Sequence, residues 1–198
     1  MWNERFAGDG YYYGTEPNDF LVSQAARWQP GQRVLCLAEG EGRNAVWLAQ
    51  RGLAVTAVDL SDVGLDKTRR LAAARGVSVA TVHADLDHFD MGRDAWDGIV
   101  AIFAHLPSEL RGRVWPRIAP ALRPGGCFVA ESYAPGQQLR STGGPRDVDM
   151  LPSADTMTAA FGQVLVTEHL WSGERDVREG QGHRGLALVT QYVGRRGG

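Results

Sequence analysis

The run RVLCLAEGEGRNAVWLAQ, residues 33–50, carries three signals in a fixed order. Arg33 to Ala38 is a short apolar stretch after Pro30-Gly31, as expected of a buried strand entered from a turn. Two glycines, Gly40 and Gly42, then break the apolar run. Arg43 to Gln50 sets Val46, Trp47 and Leu48 among good helix formers, and Gly52 stands where a helix stops. Strand, glycine turn and helix follow one another without a spare residue.

Outward from this unit the alternation repeats. Ala54 to Leu60 reads as a second buried strand, and Ser61 as the N-cap of a helix over Asp62 to Arg75 that Gly76 ends. Val77 to His83 and Gly98 to Phe103 read as strands three and four. Leu110 to Leu122 reads as a helix running into Arg123-Pro124-Gly125-Gly126, and Cys127 to Tyr133 as strand five. Parallel strands need a crossover, and the intervening helices supply it, so the fold class is α/β with a mostly parallel sheet. The C-terminal part departs from this plan. A helical segment, Ala154 to Phe161, precedes two β-like runs, Val164 to Trp171 and Leu186 to Val193, joined by a charged stretch; a terminal antiparallel hairpin fits best. At the other end, Asn18 to Trp28 reads as a helix.

The 198 residues, 43% of them hydrophobic, suffice for one sizeable core and are few for two domains. A net charge of -2 supplies no basic field for nucleic acid phosphates or anionic lipid, so neither partner is expected. No apolar run reaches the roughly 20 residues of a membrane span, and Met1 to Phe6 lacks the plan of a signal peptide, so the expected location is the cytoplasm. Cys36 and Cys127 lie inside apolar runs as small buried hydrophobes, and no disulfide framework or metal site is indicated.

Glycine at the turn lets backbone approach a ligand, and the helix start that follows offers free N–H groups to an anion. Asp59, closing the second strand, is placed to accept the ribose hydroxyls of an adenosine-containing cofactor. A tight connection with no ligand is the bland reading of the turn, and Gly40 to Ala45 also satisfies the dinucleotide pattern GxGxxA. Three features argue against a nicotinamide cofactor. Asp85 and Leu86 follow the third strand, where an adenine edge would lie; the chain has no second half for a nicotinamide and its substrate; and a simple dinucleotide fold has no use for the last hairpin.

These residues resemble the class I S-adenosylmethionine-dependent methyltransferases, in particular the small bacterial branch that includes the tellurite-resistance methyltransferases. The resemblance rests on Val34 to Ala49, Val55 to Ser61, Ala84-Asp85-Leu86, Leu122 to Gly126 and the N-terminal stretch Tyr13 to Leu21. It implies a Rossmann-like seven-stranded sheet with helices on both faces and the last strand antiparallel, and S-adenosylmethionine across the carboxyl ends of the strands. By position, Ala38, Glu39 and Gly40 would border the methionine moiety, Asp59 and Leu60 the ribose and adenine, and Asp85 and Leu86 the adenine edge. Phe103 would lie beside the reactive part. The family usually has an acidic residue where Cys36 stands and glycine where Ala38 stands; Glu39 is the candidate replacement carboxylate, so Glu39→Gln is expected to weaken cofactor binding more than Glu41→Gln. The implied division is a lid and helical segment (1–30), a cofactor-binding core (31–133), and an acceptor loop with hairpin (134–198), in one domain over 1–198.

Methyl transfer needs alignment and exclusion of water, and a base only when the acceptor carries a proton. His105, just after strand four, is the candidate base or acceptor contact, against a reading as a polar residue starting a helix. Tyr13 is the candidate aromatic lid over the sulfonium. Tyr11 and Tyr12 read as anchors of the N-terminal segment to the sheet, Asp66, Lys67, Arg69 and Arg70 as a wet helical face, and His183 and Arg184 as a solvated hairpin loop, against a reading in which they reach over the site to bind an anionic acceptor. Arg140, Arg146, Asp147 and Asp149, on the long loop from Ala134 to Pro152, read as solvated charges. The expected partner is a small-molecule acceptor, an oxyanion or another soft nucleophile. A minimal nicotinamide-dependent oxidoreductase and a non-catalytic cofactor-binding module are the competing readings.

Overall fold

In the computed structural model, which describes residues 2–198, the first apolar run is strand β1 (Arg33–Leu37), buried from Val34 onward. Its parallel neighbour is β2 (Ala54–Asp59), beyond which lies β3 (Ala80–His83); on its other side runs β4 (Trp96–Ile102), followed by β5 (Leu122–Tyr133). Two long strands, β6 (Val166–Glu179) and β7 (His183–Arg195), complete the order β3-β2-β1-β4-β5-β7-β6. The last strand inserts between β5 and β6, antiparallel to both, so β7 alone runs against the sheet.

Strand alternation divides the core into two layers. Leu35, Leu37, Ile99 and Phe128 face one way, with Ile118, Met157 and Phe161 closing that layer. Val34, Cys36, Val100 and Val129 face the other, against Leu21, Ala45, Leu48 and Leu65. Helices α1 (Trp2–Phe6), α2 (Asp19–Gln24), α3 (Arg43–Gln50), α4 (Asp62–Ala74), α5 (Ser108–Val114), α6 (Ile118–Ala121) and α7 (Ala154–Phe161) supply the covering. Asn18, Ser61 and Ser153 cap α2, α4 and α7 with their side chains.

Several boundaries differ from the sequence reading for identifiable reasons. The single helix expected over Leu110 to Leu122 is split by a 3₁₀ turn at Trp115–Arg117, where Pro116 has no N–H to continue the ladder. The helix expected from Asn18 to Trp28 likewise ends early in a 3₁₀ turn, Ala25–Arg27. The hairpin is much longer than its apolar runs suggested. Its charged stretch is itself strand, because Val177 is fully buried and Arg175 and Glu179 point inward to ion partners. Among the described residues no helix is long and apolar enough to cross a membrane.

Candidate active site

The strand order reverses between β1 and β4, and in open α/β sheets ligands lie at such a switch point, outside the carboxyl ends of the strands. Two non-glycine residues with positive φ stand there side by side: Ala38 after β1, at φ 50°, and Phe103 after β4, at φ 52°. Left-handed backbone at a non-glycine residue is costly and concentrates at functional sites. Gly40 and Gly42 continue the turn at φ 67° and 91°.

Each residue of the turn is held from below. Asp59 accepts the N–H of Gly40 on Oδ2 at 2.8 Å and the N–H of Ser61 on Oδ1 at 2.7 Å. Burial raises its pKa against the pull of these N–H groups and that of Leu60. Glu39 places Oε1 on the N–H groups of Asn44 and Ala45, at 2.9 and 2.8 Å, and so caps α3, whose N-cap Gly42 has no side chain for the task. The Cys36 thiol is hydrogen-bonded to the same carboxyl, so Glu39 fills the space beside the position where an acid was expected. Burial lifts Glu39 to about 7, with the N–H bonds and Arg43 opposing. Leu60 is exposed beyond β2, Asp85 is exposed beyond β3, and Leu86 turns its side chain into the core.

Opposite the turn is a cluster of rings. His183 is 5% exposed, with ring centroids of Phe103, Tyr13 and Tyr133 at 4.4, 4.5 and 5.0 Å. His105 stacks on Tyr133 at 5.4 Å and 6°, and its Nε2 accepts the Tyr133 N–H at 3.2 Å. That bond assigns the remaining proton to Nδ1, which leaves His105 no free lone pair for a base. Burial holds His105 down at about 3. His183 is also lowered by burial, but its Nδ1 faces Glu179 Oε2 at 3.4 Å and its Nε2 makes no hydrogen bond among the described residues.

The expectation of a solvated loop at His183 is therefore overturned, while Arg184 is exposed as expected. Lys67 leaves the wet face assigned to it: it is 6% exposed and binds Glu41 at 2.8 Å. The charges on the long loop fold the loop itself, with Arg140 on Glu174, Arg146 on backbone carbonyls, and Asp149 on the Ser108 N–H. Tyr11 reaches the Lys67 carbonyl on α4 rather than the sheet.

Sequence reasoning missed a buried polar network. Asn18 donates to Glu131 at 2.8 Å and to Glu179 at 2.7 Å; Arg43 and Arg175 neutralise the two carboxylates, at 2.5 Å each. One signal was available, since Glu131 interrupts the apolar run Cys127 to Tyr133 and a carboxylate in a buried strand needs a partner.

Residues 34–126 match the family model of the methyltransferase domain, from β1 through the glycine turn to the start of β5. Over that stretch the chain is similar to the methyltransferase domain. Its fold is that of the S-adenosylmethionine-dependent methyltransferase structures and resembles TehB. YbaJ, a Bacillus subtilis (strain 168) methyltransferase, is 32% identical over 107 residues, covering 52% of this chain and 42% of its own length. The chain spans less than half the length of the curated relatives it matches. A structure solved for the conversion of a disulfide bond into a thioacetal group during echinomycin biosynthesis superposes with a TM-score of 0.77 at 20% identity, over 98% of this chain and 88% of its own. TehB from Haemophilus influenzae gives a TM-score of 0.76 at 16% identity, over 99% and 67%. Both likenesses concern the fold, hairpin included. The cofactor that these likenesses imply is S-adenosylmethionine, and the residues present fit it: a positive-φ turn for close approach, a buried acid at the β2 end, and an aromatic wall that includes Phe103.

Proposed function

We propose that the chain transfers a methyl group to a small soft nucleophile, a class that includes oxyanions of the tellurite kind. The observation that carries this reading is the buried His183 imidazole packed among the Tyr13, Phe103 and Tyr133 rings, with Phe103 at the carboxyl end of β4 beside the switch point. When bound, S-adenosylmethionine supplies an electrophilic methyl group on a sulfonium.

The chain's own residues do the rest. Asp59 and Leu60 receive the ribose and adenine side, with Asp85 and the Leu86 backbone at the adenine edge. Ala38 and Gly40 allow the approach, and Glu39 offers its carboxylate to an ammonium. Tyr13 and Phe103 present ring faces to positive charge and exclude water. Nε2 of neutral His183 accepts a proton from an acceptor that carries one. His105, with its acceptor nitrogen occupied, positions Tyr133 and offers an N–H.

Calorimetry with S-adenosylmethionine, S-adenosylhomocysteine and NAD tests the cofactor, and binding of NAD alone would overturn the reading. Labelled-methyl transfer across oxyanions, thiols and amines tests the activity. We expect His183→Gln to lower kcat by about a hundredfold or more for a protonated acceptor and His105→Gln to act mainly on stability. Binding without transfer to any acceptor would favour a sensing module instead.

A further inference from the structure

Glu179 is where three distant parts of the chain meet. Its Oε1 accepts from Asn18 Nδ2 at 2.7 Å and from Arg175 at 3.3 Å; its Oε2 accepts from Arg43 at 2.5 Å and faces His183 Nδ1 at 3.4 Å. Arg43 opens α3 directly under the glycine turn, and His183 opens β7. Asn18 ends the strap formed by residues 10–18. The strap is clamped on one side by the glycine turn, where Glu41 Oε2 accepts the Tyr12 N–H at 2.7 Å and Lys67 holds the Gly10 carbonyl at 2.6 Å. On the other side the hairpin turn grips it, through the Gln181 N–H on the Tyr12 carbonyl at 2.8 Å. Gly180 and Gly182 pack so tightly on Tyr12 and Tyr13 that neither has room for a side chain.

We propose that Glu179 is a positioning residue that couples closure of this strap over the glycine turn to the orientation of the His183 imidazole. With the strap down, the Asn18 amide and the Arg43 guanidinium fix both oxygens, and the fixed carboxylate holds Nδ1–H so that Nε2 faces the ring cluster. Lifting the strap withdraws the amide from Glu131 and Glu179 together. The carboxylate then follows its arginine partners, and the imidazole loses the contact that sets its tautomer. A proton acceptor is thus presented only when the site is covered, which joins exclusion of water to readiness for reaction. This inference rests on the methyl-transfer reading for its purpose, though its geometry does not.

Asn18→Ser tests it cleanly. Serine keeps an oxygen to cap α2, as Asn18 now does for the Leu21 N–H at 2.9 Å, but has no amide to bridge the carboxylates. Nitrogen NMR of the His183 ring reads the tautomer, and amide exchange at Tyr12 and Tyr13 reads the strap, in the full chain with and without S-adenosylhomocysteine. The wild type is expected to hold one tautomer, protonated at Nδ1. Asn18→Ser should give a mixed tautomer and amide exchange faster by about tenfold. Glu179→Gln should mix the tautomer while leaving the strap amides, held by Glu41, protected. A wild-type tautomer in Asn18→Ser would overturn the coupling. Failure of the wild type to bind S-adenosylhomocysteine would instead remove the methyl-transfer reading, and the coupling would still be read in the free chain.

Discussion

At Ala38 the chain keeps a side chain where the backbone, at φ 50°, favours none. Ala38→Gly relieves the left-handed strain and is expected to raise stability by up to about 1 kcal/mol, after the opposing gain in unfolded-state entropy. Denaturant unfolding checks this, and a lower midpoint at equal slope would contradict it. Glu39 lends itself to a pH test. Its carboxyl is raised from an ordinary 4.5 to about 7, so between these values the folded chain holds a proton that the unfolded chain has released. Stability from this group therefore falls as pH rises from about 4.5 to about 7 and is level above. Glu39→Gln should flatten that slope in thermal melts. If the carboxylate receives the cofactor's ammonium, binding near pH 6 should expel the proton, and the heat of binding should vary with the buffer's ionisation enthalpy. A buffer-independent heat would show that Glu39 caps α3 and does nothing more. Glu41→Gln should loosen the strap and keep that buffer dependence, since Glu41 holds Tyr12 and Lys67 and Glu39 is untouched.

Among the elements, the hairpin β6–β7 grips the N-terminal strap. Gly180, at φ 61°, stands where an added Cβ would strike the Tyr12 carbonyl and the Gly14 amide. Gly180→Ala is thus expected to displace the strap, weaken cofactor binding by about tenfold or more, and leave far-ultraviolet circular dichroism unchanged. Undiminished binding would mean that the strap does not cover the cofactor. The glycine turn was legible because its geometry is written in contiguous residues. Glycines 40 and 42, the short strands and Asp59 each carry a local backbone or chain-end signal. The ring cluster around His183 has no such signal. Tyr13, Phe103, Tyr133 and His183 come from four separate segments, and only the sheet order brings them together. His183 looked like a loop residue because charged neighbours masked the two-residue periodicity, which shows only once Arg175 and Glu179 are seen to face inward. The break at Pro116, by contrast, was legible from proline chemistry and was passed over in favour of the helical spacing around it.

Across the whole molecule, the two buried carboxylates and two guanidiniums tie the N-terminal strap, α3 and three strands into one unit. Glu131 is fully buried between Asn18, Arg175 and Gln191, so Glu131→Ala, which leaves Arg175 short of its main partner, is expected to cost about 3–5 kcal/mol in chemical denaturation. A loss below about 1 kcal/mol would show that the network contributes little to stability. Acid should act through the same unit. Burial works against Glu179, yet His183 and Arg43 hold it down from 4.5 to about 2; its contribution is complete above pH 4.5 and is lost as pH falls toward 2. Glu179→Gln should remove that part of the acid slope. The bond between Asn18 and Glu179 also spans 161 positions of sequence. At ribosomal elongation rates, roughly ten to thirty seconds separate the synthesis of the two residues. For that interval the nascent chain carries Tyr12, Tyr13 and Phe20 without the hairpin that receives them, and its first segment is among the last to find its place.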